Sequence, residues 1–203
     1  MRKKLMYSLL AVAVACVATG SAFAAGKFNK VIGVGDAAPD WSDVGGVDGA
    51  KHSLKDYKDA KVIVQVFTCN KCPVAVAYED RLVEIARDYK DKGVKLVAIN
   101  CNNADADKLP KMKERATAKG FNFDYLYDDG QASGRAYGAK VTPEVFVLDA
   151  NRKVIYMGAI DDNWQAADGV KKAYLRDAIE AALAGKAPEV TETKAQGCGI
   201  GYE

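Results

Sequence analysis

The fold of this chain is indicated most clearly by residues 62–82, VIVQVFTCNKCPVAVAYEDRL. Residues 61–68 are rich in β-branched side chains, which is the composition of a buried β-strand. From Pro73 to Lys92 apolar side chains recur at helical spacing, and Gly93 follows where a helix commonly ends. The pattern therefore predicts a strand that leads directly into a long helix, with two cysteines at the junction.

Cys69 and Cys72 stand at this junction with two residues between them. Residues three apart on a helical turn are neighbours, so the two sulfurs can form and break a bond with little backbone movement. A helix N-terminus has free N–H groups and a partial positive charge, and together with Lys71 these stabilise a thiolate. Pro73 fits the first turn, where its missing N–H costs little. We expect a redox-active pair in which Cys69, at the mouth of the helix, is the nucleophile and Cys72 resolves the mixed disulfide.

Two other roles for this pair remain open from the residues alone. A structural disulfide is compatible with export, although so short a loop gains little chain entropy. Half of a zinc site would need a second close pair of ligands, and His52 is the one histidine of the chain. The sequence therefore predicts neither a metal site nor a bound cofactor, and it argues against Ser-His-Asp chemistry.

The rest of the chain completes an α/β pattern. Hydrophobic periodicity predicts strands at residues 94–100, 121–127, 144–148 and 154–160, and helices at 109–119, 131–137 and 170–184. Asp48-Gly49 predicts a hairpin turn. Strand–helix–strand units imply parallel strands with right-handed crossovers, and the last two strands, joined near Asn151, add an antiparallel part. We therefore expect a mixed central β-sheet with helices on both faces.

The first 24 residues have the three parts of a secretory signal peptide. A basic start and an apolar run precede Ala22-Phe23-Ala24, a small-x-small cleavage site. The run is shorter than the roughly 20 residues that span a membrane. Uncleaved anchoring and lipidation at Cys16 are the alternatives. We expect an exported protein, periplasmic or extracellular and without a stable membrane span, divided into a domain at 25–186 and a tail at 187–203.

Charge narrows the choice of partners. The chain has 29 Lys and Arg against 27 Asp and Glu, and loss of the three basic residues of the leader leaves 26 against 27. Nucleic-acid binding depends on clustered basic side chains that replace counterions. A near-neutral protein without such a cluster is therefore expected to have no nucleic-acid partner.

The chain resembles a known family, the exported thioredoxin-like redoxins, which are grouped with the alkyl hydroperoxide reductase/thiol-specific antioxidant proteins and the thioredoxins of cytochrome maturation. The segments that carry the resemblance are residues 35–41, 48–49, 53–54, 67–73, 77–82, 142–143, 161–164 and 197–198, and the similarity extends over residues 33–200. It implies a thioredoxin-like fold and a thiol-disulfide oxidoreductase. The implied partners are protein thiols and disulfides, with an upstream redox donor or acceptor.

Thr142-Pro143 matches the threonine and cis-proline that face the disulfide in thioredoxin folds. The resemblance implies that this peptide bond is cis, and that both residues lie against Cys69 and Cys72 and bind substrate. A proline leaves no N–H at this position, and the strand edge beside it can accept an extended substrate chain.

Two features depart from the family pattern. The buried aspartate that thioredoxins carry six residues before the first cysteine is Ile63 here, so the proton acceptor is missing or comes from elsewhere. The peroxidatic motif Pro-x-x-x-Thr-x-x-Cys of peroxiredoxins is absent. A thiol-dependent peroxidase and a non-catalytic binding module with a structural disulfide are the alternative functions.

Two further cysteines remain after the leader. Cys101 follows the second long strand, at the sheet edge where parallel strands deliver residues to a site. Cys198 lies in the tail, which could reach that edge. A Cys101–Cys198 disulfide would close a long loop and stabilise the fold by about 4–5 kcal/mol in the chain-entropy model. The alternative is a buried Cys101 and a free Cys198.

Several other polar residues have ordinary explanations. We expect Asp161 and Asp162 in a solvated loop, with a proton acceptor near the cysteines as the alternative for one of them. Tyr78, Glu79 and Arg81 are expected to serve helix packing and surface ion pairing.

Overall fold

The structure is a computed structural model, and it describes residues 25–203. The predicted leader, its cleavage site and Cys16 lie outside the described residues. Within residues 25–203, no helix combines the length and the apolar character needed to cross a membrane.

The elements follow the chain order that the periodicity predicts. The strands are β1 (Val44–Gly46), β2 (Lys51–His52), β3 (Val62–Phe67), β4 (Val94–Asn100), β5 (Asp124–Tyr127), β6 (Val141–Thr142), β7 (Glu144–Leu148), β8 (Val154–Gly158) and β9 (Cys198–Gly199). The α-helices are α1 (Pro73–Tyr89), α2 (Leu109–Lys119), α3 (Ala132–Tyr137) and α4 (Tyr174–Leu183).

A seven-stranded mixed sheet forms the centre of the described chain, in the order β2-β1-β5-β4-β3-β7-β8. Strands β3, β4 and β5 are parallel, with α1 and α2 as the connecting helices. Strands β7 and β8 add the antiparallel part, because β7 pairs antiparallel with β3. The prediction of a mixed α/β sheet is confirmed. A separate pair, β6 with β9, lies outside this sheet and joins the tail to the domain.

Strand β3 is buried on both faces, which explains its β-branched composition. Val64 and Val66 pack on one face with residues of α1, α2 and α4. Ile63 and Phe67 pack on the other face with Tyr137 of α3. Burial of each such side chain contributes about 1.5–3 kcal/mol, so the strand that leads to the two cysteines is held rigidly. The predicted helices on both faces are present, and Ile63 belongs to the core.

Two elements begin several residues later than the periodicity predicts. The strand predicted from residue 121 begins at Asp124, because the amide of Phe121 donates to Ala116 at 2.9 Å and closes the end of α2. The helix predicted from residue 170 begins at Tyr174. Its start is delayed because the carbonyl of Lys172 accepts the amide of Asp162 at 3.2 Å, which holds the preceding chain in a loop.

The tail packs along the domain. The Glu192 carboxylate accepts the amide of Lys27 at 2.7 Å, and the Tyr202 hydroxyl donates to the Ala139 carbonyl at 2.7 Å. Between these contacts β9 pairs antiparallel with β6, with Cys198 opposite Thr142. The last residues therefore reach the region of the two junction cysteines.

Candidate active site

The CxxC segment connects β3 to α1 and is almost fully enclosed. Cys72 is the N-cap residue of α1 and Pro73 is its first helical residue, whereas Cys69 lies in the loop before the helix. Cys69 is 6% exposed and Cys72 is 2% exposed. The expectation that Cys69 stands at the mouth of the helix is corrected. The helix begins only at Pro73, so Cys72, and not Cys69, is the residue at its N-terminus.

Thr142 contacts both sulfurs. Its hydroxyl lies 3.2 Å from Cys69 Sγ, and its carbonyl oxygen accepts a hydrogen bond from the Cys72 thiol at 3.0 Å. The Thr142–Pro143 peptide bond is cis. The predicted isomer is confirmed, and Thr142 occupies the position against the two cysteines that the resemblance implies.

The acidity of Cys69 differs from the expectation. Burial raises the pKa of the Cys69 thiol above its ordinary value of 9.0, and the charge of Asp107 adds to the increase. Hydrogen bonds from Thr142 and from the amide of Lys71 act in the opposite direction but do not outweigh burial. The side chain of Lys71 is exposed. A buried thiol loses the solvation of its charged form, which is why a position near a helix end does not suffice here.

The pKa of Cys72 is shifted in the opposite direction. Burial alone would raise the pKa of its thiol, but hydrogen bonds from the side chain and amide of Cys198 and from the amide of Ala75 lower it below its ordinary value. The contact with Cys72 in turn raises the pKa of Cys198 to about 11. Of these two thiols, Cys72 is therefore the more acidic.

Cys198 thus lies beside Cys72, and the structure does not bring it together with Cys101. The Cys198 amide donates to Cys72 Sγ at 3.3 Å. Cys101 is buried, 3.8 Å from Ser133 Oγ, and burial raises its pKa to about 12. The predicted Cys101–Cys198 disulfide is absent, since both thiols are free. The tail does reach Cys101, but it does so with Tyr202, because β9 aligns Cys198 with β6.

A buried carboxylate that the sequence analysis missed holds the CxxC loop. Asp107 is 2% exposed and accepts the amide of Asn70, the residue between the two cysteines next to Cys69. The Asn70 side chain donates to Ala106 at 2.7 Å and accepts from the Tyr125 hydroxyl at 2.9 Å. Asp107 lies in the loop after β4, at the same sheet edge that drew attention to Cys101. Because parallel strands deliver site residues at this edge, Asp107 could have been predicted as a candidate from its place in the loop.

A second buried carboxylate, Asp161, contacts side chains of α1. Asp161 accepts hydrogen bonds from the Tyr78 hydroxyl and from Arg81, both at 2.6 Å. Asp161 is 8% exposed, so its expected place in a solvated loop is wrong, whereas the exposed Asp162 fits that description. A groove of about 250 Å³ opens here; it is lined by Tyr78, Pro143, Asp161, Trp164, Tyr174 and Gln196.

The strand edge beside Pro143 is already occupied. The sequence analysis assigned this edge to an extended substrate, and the tail strand β9 lies there instead. Among residues 25–203, no cluster of three or more His, Cys, Asp or Glu side chains is arranged to hold a metal ion.

Comparison with known proteins identifies the family. The Redoxin family model matches residues 33–174. The chain is 26% identical over 158 residues to the thiol-disulfide oxidoreductase ResA of Bacillus thuringiensis, covering 76% of this chain and 87% of that protein. The chain therefore belongs to the Redoxin family. It is a thioredoxin-like thiol-disulfide oxidoreductase.

Solved structures have the same fold. A hypothetical protein from Sinorhizobium meliloti superposes with a TM-score of 0.79 at 33% identity, covering 85% of this chain and 96% of that one. A thiol:disulfide interchange protein of the thioredoxin family from Chlorobium tepidum has a TM-score of 0.58 at 22% identity, with 74% and 98% covered. The second similarity shows the thioredoxin-like fold alone.

Proposed function

We propose that this protein exchanges disulfides with exported protein substrates through Cys69 and Cys72. The observation that carries the proposal is the convergence of both sulfurs on Thr142, at 3.2 Å and 3.0 Å, beside the cis-proline. Two thiols three residues apart, fixed against one strand end, can alternate between a dithiol and a disulfide with little movement of the backbone.

Cys69 makes the first attack because it is the more exposed of the two residues. Its thiolate bonds to one sulfur of a substrate disulfide, that S–S bond breaks, and the first substrate sulfur leaves as a thiolate. The Cys72 thiolate then attacks Cys69 Sγ and expels the second substrate thiolate. Two electrons pass to the substrate, and the two protons lost by the cysteines are taken up by the substrate thiolates. The lowered pKa of Cys72 supports its resolving role, because a larger fraction of this thiol is ionised at a given pH.

The groove that borders Pro143 supports a protein substrate. Its lining by Tyr78, Trp164 and Tyr174 offers aromatic surface to an extended chain. The leader pattern at residues 1–24 supports export, where such disulfides persist.

Trapping of mixed disulfides tests the order of attack. Because Cys198 lies beside Cys72, the variants are made in a Cys198→Ser chain. Cys72→Ser should accumulate mixed disulfides with a disulfide-containing substrate such as insulin, and Cys69→Ser should trap none. Cys101→Ala is the control and should leave insulin reduction intact. The opposite trapping result would contradict the assigned order.

Consumption of hydrogen peroxide tests the peroxidase alternative, and we expect none above that of the Cys69→Ser variant. A chain whose purified form shows no dithiol that titrates with glutathione would instead fit a binding module with a structural disulfide. That outcome would remove the proposed activity.

A further inference from the structure

We propose that Cys198 is a third redox cysteine, which exchanges with the Cys69–Cys72 disulfide to form a Cys72–Cys198 disulfide. The inference rests on the proposed function, because that reaction supplies the first disulfide. The CxxC chemistry alone assigns no role to a cysteine 126 residues further along the chain.

The geometry at the tail carries the proposal. The Cys198 amide donates to Cys72 Sγ at 3.3 Å, and β9 places Cys198 opposite Thr142, whose carbonyl oxygen accepts from the Cys72 thiol. Cys72 is buried, whereas Cys198 is exposed. The pair thus joins an enclosed sulfur to one that a partner in solution can reach.

The tail is held in this place from both sides of Cys198. On one side, Gly197 packs so closely on β6 that a Cβ at position 197 would lie 1.9 Å from the carbonyl oxygen of Thr142. On the other side, Ile200 is 9% exposed and its amide donates to the Lys140 carbonyl at 2.9 Å. A glycine is therefore required where the tail approaches the active site, and an apolar anchor follows it.

The exchange is balanced without a further oxidant. The Cys198 thiolate bonds to Cys72 Sγ, the Cys69–Cys72 bond breaks, and Cys69 leaves as a thiolate that takes up the proton lost by Cys198. One disulfide is exchanged for another, so the protein as a whole gains or loses no electrons. When Cys72 is part of a disulfide it carries no negative charge. The contact that raises the pKa of Cys198 then no longer has this effect. The outcome is a disulfide in which Cys198 is exposed and Cys72 is buried, together with a free Cys69 thiol.

Peptide mapping can follow all four cysteines, because tryptic cleavage after Lys and Arg separates them. Cys69 falls in peptide 62–71, Cys72 in 72–81, Cys101 in 96–108 and Cys198 in 195–203. The full chain and its Cys69→Ser variant are equilibrated with oxidised glutathione, quenched with acid and N-ethylmaleimide, and digested without reduction. We expect Cys69→Ser to yield peptides 72–81 and 195–203 joined by a disulfide, with Cys101 alkylated. Recovery of Cys72 and Cys198 as separate adducts would overturn the proposal.

A matched pair of glycine variants tests whether the docked tail is responsible. In the Cys69→Ser chain, Gly197→Ala should reduce the yield of the joined peptides roughly tenfold, because the added methyl group displaces the tail and lowers the effective concentration of Cys198. Gly199→Ala adds a methyl group that meets nothing within 4 Å and should leave the yield unchanged. Equal yields in the two variants would contradict a role for tail docking.

The same experiment separates the two proposals. If the unmodified chain forms the Cys69–Cys72 disulfide and reduces insulin while Cys69→Ser gives no joined peptide, only the role of Cys198 fails. If the unmodified chain forms no Cys69–Cys72 disulfide, the proposed function fails first.

Discussion

The carboxylate of Asp107 accepts the backbone amide of Asn70 at 2.7 Å, across 37 residues of sequence. This hydrogen bond ties the loop after β4 to the CxxC segment. Asn100, at the end of β4, also donates its side-chain amide to Asp107 at 3.2 Å, so the carboxylate is fixed by groups on two strand ends. A buried negative charge is thereby held next to Cys69, where it opposes thiolate formation.

Asp107→Asn should make Cys69 more reactive. Removing the charge removes one cause of the raised pKa, so the thiolate fraction at a given pH below that pKa increases. Burial, the largest cause of the raised pKa, is unchanged in this variant. We expect alkylation of peptide 62–71 by iodoacetamide at pH 7.5 to be roughly threefold faster, with the pH profile moved to lower pH.

Asp105→Asn is the matched control for this change. It removes the same charge from an exposed position in the same loop and should not alter the alkylation rate of Cys69. A profile for Asp107→Asn that coincides with that of Asp105→Asn would show that the carboxylate has no electrostatic effect on Cys69.

Thr142→Val should have the opposite effect on Cys69. Valine keeps the shape of threonine but cannot hydrogen-bond to Cys69 Sγ, and that hydrogen bond is the strongest influence that lowers the pKa of Cys69. Alkylation of peptide 62–71 should therefore become slower, and the profile should move to higher pH. Stability should fall by about 1 kcal/mol in urea unfolding, the usual contribution of one hydrogen bond. Faster alkylation would contradict this role of the hydroxyl, and Thr117→Val, on the surface of α2, is the control.

Asp161→Asn should destabilise the fold. Asp161 is paired with Arg81, whose side chain is 14% exposed, and the neutral amide would leave the guanidinium partly buried without its counter-charge. Breaking such a pair from one side costs about 3 kcal/mol. Urea unfolding monitored by circular dichroism should show a lower midpoint with an unchanged slope. The exposed Asp168→Asn should unfold like the parent chain, and an equal midpoint for Asp161→Asn would contradict the structural role of the pair.

Elements that depend on neighbouring residues could be predicted from the sequence. The β-branched run 62–67, the helical spacing after Pro73 and the small set of strands that follow define the order of the α/β fold, because strand and helix patterns repeat over two to four residues. The position of two cysteines at the junction follows from the same local pattern. Resemblance to the redoxins added the cis bond at Thr142-Pro143, which a local pattern would not predict.

The distant groups that surround those cysteines are known only from the tertiary structure. Asp107 meets Asn70 and Cys198 meets Cys72 because the sheet order and the path of the tail bring them together, across 37 and 126 residues. The direction of each pKa shift follows from these contacts and from burial. A position near the helix N-terminus predicts that Cys69 is the more acidic thiol. Desolvation instead raises the pKa of Cys69, and hydrogen bonds from the tail lower the pKa of Cys72. Burial and hydrogen bonding between remote segments are properties of the packed chain, so no local pattern contains them.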